Sequence, residues 1–378
     1  MTIFHRALLI SLMLVAAVLG AGEAAKPFVH PGLLTSQDDI AFIRAKLKEK
    51  AQPWQSGWDL LAARRQFYLA RVPKPAETYT DKPHWYEPGT ARDFLEDGEA
   101  AYGNTLLWLF GDRERDRAHM RKAVEILNAW SSTLKKNVDL MLFTSYSFPT
   151  MMYAAELLRT QQAEWPKAEQ DRFADMIRRF CLPHVDTRQI GNNWRSWGIN
   201  AHIASAVYLD DRAEYAKAIA RYRAHLAAYI REDGFNTELG SRDPDHGSMG
   251  AGPLAVVCEI AWKQGDDLFG LLDNRLAKSF ELCAPVYLGD LKAIPGIRQK
   301  PWETAGKANK FRPKEFPAMA DPTWPIFEIA HNHYVNRLGL KLPQLTAATE
   351  KMRPEHFWRM GWGTLLHAGD SRPGRAAK

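Results

Sequence analysis

Apolar residues along most of this chain recur at steps of three and four, the spacing that gathers them on one side of an α-helix. "DDIAFIRAKLKEK" shows it after the capping pair Thr35 and Ser36, and "WQSGWDLLAARRQFYLARV" continues it after a break at Pro53. The same period predicts helices near residues 92–111, 115–134, 146–162, 167–182, 194–209, 212–231, 247–264, 267–286 and 325–338. No alternating stretch long enough for a useful strand interrupts them. The breaks, such as "FGDRERD", "LDDRAE" and "QGDDLFG", are short and rich in Gly and Asp, as helix-to-helix turns are.

Short turns between helices of similar length make antiparallel hairpins, and successive hairpins must bury one face of each helix on its neighbours. The expected fold is all-α, an incomplete (α/α) toroid of about six to seven helical hairpins. An open superhelix is the alternative, but no repeat of fixed period supports it. Toroids leave a groove where helix ends and connecting loops converge, so the chemistry is expected in loops. Two segments, 72–92 and 293–325, are too long and too rich in Pro, Gly, Lys and aromatics to be turns. Trp85, Tyr86 and Trp302 within them read as walls of that groove.

The first residues change the domain picture. "MTIFHR" is a short basic start, "ALLISLMLVAAVLGA" an apolar run, and Gly22 and Ala24 have the spacing of a cleavage site. Residues 1–24 therefore read as a secretory signal peptide, the run being shorter than the roughly 20 residues a membrane anchor needs. The remainder, 25–378, is expected to be one catalytic domain, periplasmic or secreted, with no membrane contact after cleavage. Losing Arg6 and Glu23 leaves the formal net charge of +6 unchanged, which mildly favours an acidic partner. Nothing in the pattern asks for nucleic acid. Cys181, Cys258 and Cys283 each sit in an apolar helical pattern without metal spacing, so they read as core residues with at most one disulfide.

Two stretches collect chemistry. "RQIGNNWRSWGINAHIASAVYLDD" puts Asn192, Asn193, Trp194 and Trp197 at a helix entrance, where Asn193 suits an N-cap and the two tryptophans suit ordinary packing. "NTELGSRDPDHGSMGAG" crowds Glu238, Arg242, Asp243, Asp245 and His246 between two helical segments. A plain reading is a salt-bridged turn, with Glu238 on Arg242, Asp243 capping the next helix and His246 in solvent. A metal held by Asp243, Asp245 and His246 is another reading, although a calcium loop needs more oxygen ligands at regular spacing. His202 and Tyr334 look core-facing.

The segments "FVHPGLLTSQDDIAFIRAKLKEKAQPWQSGWDLL", "AAELLR", "GNNWRSWGINA", "ELGSRDPDHGSMGAGPLAVVCEIAW", "FEIAHNHYVNRLGL" and "GWGTLL" together resemble the alginate-lyase superfamily. Within it the chain looks most like polysaccharide lyase family 38, which acts on mannuronan-type alginate or glucuronan. That resemblance implies a helical toroid, an acidic polysaccharide partner, and β-elimination with neither cofactor nor catalytic metal. It also implies that Asn193 and His246 neutralise a uronate carboxylate, with Arg242 as a third donor and Asp243 capping or orienting. A tyrosine is expected after the His turn as proton acceptor. Here "VYLGDLKAIPGIRQKPW" offers Tyr287 and Arg298, while Trp302 stands where another aromatic hydroxyl would be expected. Tyr287 is the first candidate and Tyr146 in "FTSYSFPTMMYAAELL" the next. Asn192, Trp194, Trp197, Tyr146 and Arg298 are the expected substrate contacts. Two other readings stay open: an inverting glycoside hydrolase using Glu238 with Asp243 or Asp245, and a polyuronate-binding protein without turnover.

Overall fold

The computed structural model describes residues 26–80, 82, 89–187, 191–242, 244–294, 296, 327–356 and 361–369. Among them the elements are α1 Gln37–Lys48, α2 Trp54–Ala62, α3 Arg65–Leu69, β1 Thr78–Tyr79, α4 Thr90–Phe110, α5 Arg117–Thr133, β2 Lys136–Asn137, α6 Leu142–Thr160 and α7 Lys167–Met176. They continue with α8 Asn193–Tyr208, α9 Arg212–Tyr229, α10 Thr237–Ser241, α11 Pro244–Lys263, α12 Leu271–Leu288, α13 Phe327–His331, α14 Pro343–Met352 and α15 Gly363–His367. The run expected to be one helix after Pro53 is split: Arg64 turns between α2 and α3. Residues 1–24, Trp85, Tyr86, Arg298, Trp302 and Asp243 lie outside the described residues.

Burial separates the helices into two layers. In α6 every residue from Phe143 to Leu158 is buried, and α4 and α8 are nearly as enclosed, whereas α5, α7 and α9 bury one side only. A helix apolar all round belongs inside, one with a polar face outside. The inner helices pack side by side in the order α4, α6, α8, α11, and each is followed by an outer partner. Past α11 the ring continues through α13 to α15, which packs on α2, so short pieces rather than a full hairpin close it. This is the α/α toroid that the period implies, with its closure made by the two ends of the chain.

Hairpin alternation makes the inner helices parallel. Two ties at opposite ends bear this out. The parallel pair β1–β2, Thr78 opposite Lys136, links the loops that enter α4 and α6. At the other end, His30 bridges Glu156 of α6 (2.7 Å) and Asp210 after α8 (2.9 Å), and Gln264 after α11 holds the backbone of Val29 and Gly32. Entry loops of the inner ring therefore share one end, the end at which the groove is expected.

The closing seam carries buried charge. Lys263 of α11 meets Asp39 of α1 at 2.6 Å and Glu259 at 2.8 Å, and Arg337 after α13 clamps Glu259 with two nitrogens at 2.9 and 3.0 Å. Two anions face two cations. Asp39 also completes the capping box with Ser36 that starts α1. All three cysteines are buried and unpaired, and His202 and Tyr334 are core residues. No helix among the described residues is long and apolar enough to cross a membrane.

Candidate active site

At the groove end, α8 begins with Asn192 as its cap, not Asn193. The Asn192 side chain accepts the backbone N–H of Trp194 at 3.1 Å, and Asn193 becomes the first helical residue. The shift by one position matters because a capping amide is used up on its own helix. Asn193 is freed for another partner, and it finds one 45 residues away.

That partner is Glu238 on α10. Its Oε1 accepts from Asn193 Nδ2 at 2.9 Å, while Oε2 accepts from the Asn193 backbone N–H at 3.1 Å and from the Tyr229 hydroxyl at 3.0 Å. So Glu238 serves as a remote cap for α8 as well as a clamp on the Asn193 amide. The expected Glu238–Arg242 ion pair is replaced by these donors. Arg242, exposed, instead directs its guanidinium at His246 Nε2, 2.8 Å away. An arginine can only donate, so Nε2 is the accepting atom in this contact. His246, expected in solvent, is half-buried in the first turn of α11.

Burial raises the Glu238 carboxyl above its ordinary range, and the Tyr229 hydroxyl, His246 nearby and the two Asn193 donors pull the other way. Asn193 thus holds the Glu238 carboxylate, and His246 is near enough to act on its charge, from two segments that the sequence separates widely. Both α8 and α11 begin here, and helix starts carry partial positive charge that favours anions. One N–H of the Asn193 amide goes to Glu238, while its Oδ1 is buried without a hydrogen-bond partner. Such an arrangement can hold a carboxylate.

The other expected residues divide. Tyr287, in the last turn of α12, gives its hydroxyl to Ser248 of α11 and sets its ring edge-on to Phe327 at 5.2 Å. It is therefore at the groove end, buried against α11. Trp197 and Tyr146, expected as substrate contacts, pack edge-to-face at 5.4 Å with 0 % and 2 % exposure. Their three-residue and inner-helix positions made them core, the ordinary packing their spacing also allowed. Trp194 is half-buried and remains on the rim. Arg298 lies outside the described residues, as do Asp243 and the side chain of Asp245.

Sequence reasoning missed two features. Tyr229 gave no signal, because a tyrosine ending an outer helix looks like any amphipathic residue. The turn before α6 is the second: Met141 holds φ 131°, a region unfavourable for a side chain, and Asp139 fixes it by accepting the N–H groups of Met141 (3.2 Å) and Thr144 (2.7 Å). Leu140 beside it is 49 % exposed at the groove end, an apolar surface of the kind a sugar ring can rest on.

The sequence profile of the family described as Alginate lyase matches residues 62–293. No curated protein sequence matches the chain. Among solved structures, an alginate lyase from Bacteroides ovatus aligns with a TM-score of 0.61 at 15% identity, covering 86% of this chain and 97% of its own. Alginate lyase A1-III from Sphingomonas species A1 aligns at 0.64 and 16%, covering 92% and 99%. The same lyase with a tyrosine-to-phenylalanine substitution, complexed with tetrasaccharide, aligns at 0.64 and 17%, covering 90% and 97%. At these identities the likeness is one of fold.

Proposed function

The chain belongs to the alginate lyase family, and on that premise we propose that it is a polysaccharide lyase cleaving a β-1,4-linked polyuronate, mannuronan-type alginate or glucuronan, by β-elimination without a metal. The observation that supports this reading is the Asn193–Glu238 pair at the start of α8, the helix that packs beside α11, whose first turn carries His246.

In β-elimination the C5–H bond breaks, its electron pair becomes the C4–C5 double bond, and the C4–O bond to the next sugar breaks. The leaving oxygen takes up a proton, and no water is consumed. Charge accumulates on a carboxylate that is already negative, so the reaction needs donors there. The second N–H of Asn193 and His246, with Arg242 behind it, supply them; one preorganised donor contributes roughly 3 kcal/mol to such a step. Mannuronate and glucuronate have the C5 hydrogen and C4 oxygen on the same side of the ring, so one group can act as base and then as acid. We assign this role to Tyr287, which, released from Ser248 and ionised to the phenolate, takes the C5 proton and returns it to the leaving C4 oxygen; a positioned acid–base group contributes about 10² to 10⁴ in rate. The two sugars differ at C2, away from the reacting bond, so the same donors serve either. Residues 1–24 support export, hence a periplasmic or secreted enzyme meeting polymer outside the cytoplasm.

The test is direct. Purified protein without added metal is offered mannuronan, guluronan, glucuronan and heparinoids, and the ultraviolet absorbance of the conjugated enol-uronate is followed with reducing ends. Both signals should rise on mannuronan or glucuronan. Reducing ends without absorbance would mean a hydrolase, and binding without either product a lectin-like protein; each result refutes the proposal.

A further inference from the structure

An amide that must meet a carboxylate at a set angle needs something to hold it, and Asn193 is held through Glu238. What holds Glu238 is then part of the site. Of the donors on Glu238, the Asn193 backbone N–H and Nδ2 come from the residue being positioned, so they cannot orient it independently. The Tyr229 hydroxyl, at 3.0 Å from Oε2, comes from the outer layer.

Tyr229 is built in with care. It is 0 % exposed, and its ring stacks on His225 one turn earlier, at 4.8 Å and 23°. His225 Nε2 in turn pairs with Ser196 Oγ of α8 at 2.9 Å, so the ring is fixed to the helix that bears Asn193. On the facing side α11 has Gly250. A Cβ there would stand 1.8 Å from the Tyr229 hydroxyl oxygen, so no larger residue leaves the hydroxyl where it is. Three helices converge to fix one oxygen atom against one carboxylate.

We propose that Tyr229 is a positioning residue of the elimination site: it anchors Glu238 so that Asn193 turns its second amide hydrogen into the groove, and Gly250 provides the space it needs. This rests on the elimination reading above. Tyr229 makes no contact with substrate; it acts through Glu238. The groups facing Glu238 are Tyr229 from α9, Asn193 from α8 and His246 from α11, with Arg242 meeting His246. The hydroxyl donates to the ionised carboxylate, so removing it should let Glu238 keep its proton to higher pH.

The experiment is Tyr229→Phe, with Gly250→Ala as a second variant that displaces the hydroxyl without deleting it. For Tyr229→Phe we expect kcat on the accepted polyuronate to fall about tenfold with KM within about twofold. The acid limb of the pH profile should move to higher pH, helical circular dichroism should stay unchanged, and the Asn193 side-chain amide resonances, assigned by their loss in Asn193→Asp, should shift. Gly250→Ala should show the same kinetic signature. Wild-type kcat, acid limb and amide resonances in Tyr229→Phe would overturn the proposal, and so would a lower melting temperature alone. If the wild-type protein makes no unsaturated ends, the elimination reading fails, while the amide resonances still decide whether Tyr229 positions Asn193.

Discussion

Glu259 and Glu238 are both almost fully buried in the same toroid, yet their surroundings are opposite. Glu259, in the closing seam, is met by Lys263 and by both terminal nitrogens of Arg337. Although burial alone would raise it, these cations hold its carboxyl well below the usual range. Glu238, at the groove, is met by an amide, a backbone N–H and a phenol, and its carboxyl is raised. Matched charge leaves nothing for a ligand to do. At Glu238 neutral donors stand where the seam has cations, and Arg242 is directed at His246 rather than at the carboxylate, which is why one cluster reads as a joint and the other as a site.

The strongest way to break the contrast is Arg337→Ala. It strands Glu259 with one cation, and removing one partner of a buried pair typically destabilises by about 3 to 5 kcal/mol. Urea denaturation should show this. A loss no larger than that of an exposed arginine would mean that the seam is not the joint described.

Next come Asn193→Ala and His246→Ala, each expected to lower kcat by about 10² to 10³ while helical circular dichroism and melting change little. If both variants instead unfold readily but keep their specific activity, the groove cluster is structural like the seam. The smallest effect is in the pH dependence of stability. Folding favours ionised Glu259, so its contribution is present above 4.5 and is lost as pH falls through the lowered folded value. Folding favours protonated Glu238, so its contribution is present below 4.5 and is lost as pH rises through the raised value. Wild-type stability minus that of Glu259→Gln should therefore rise with pH, and minus that of Glu238→Gln should fall. Two slopes of the same sign would erase the distinction.

How much of this was legible in the sequence depends on the distance over which each feature is decided. Helices α4 to α9, α11 and α12 fall close to the windows that the apolar period marks, because that period is a property of residues three and four apart, whereas the short α10 lies in a stretch read as a turn. The end of the ring holding the chemistry follows from hairpin alternation, and the crowding of Glu238, Arg242 and His246 is visible in a single quoted stretch. Two late helices, α14 and α15, escaped notice, being short and stabilised by what they pack against.

The sequence by itself determined the helical layers, the toroid and the two loop segments in which reactive side chains collect, since each is written in local spacing and residue type. Only the tertiary structure decided that Asn192 caps so that Asn193 need not, that Glu238 takes Asn193 and Tyr229 rather than Arg242, and that Trp197 and Tyr146 turn inward. Each of those outcomes is a choice among chemically equivalent partners, and only close packing of helices far apart along the chain brings one partner within hydrogen-bonding distance and excludes the rest.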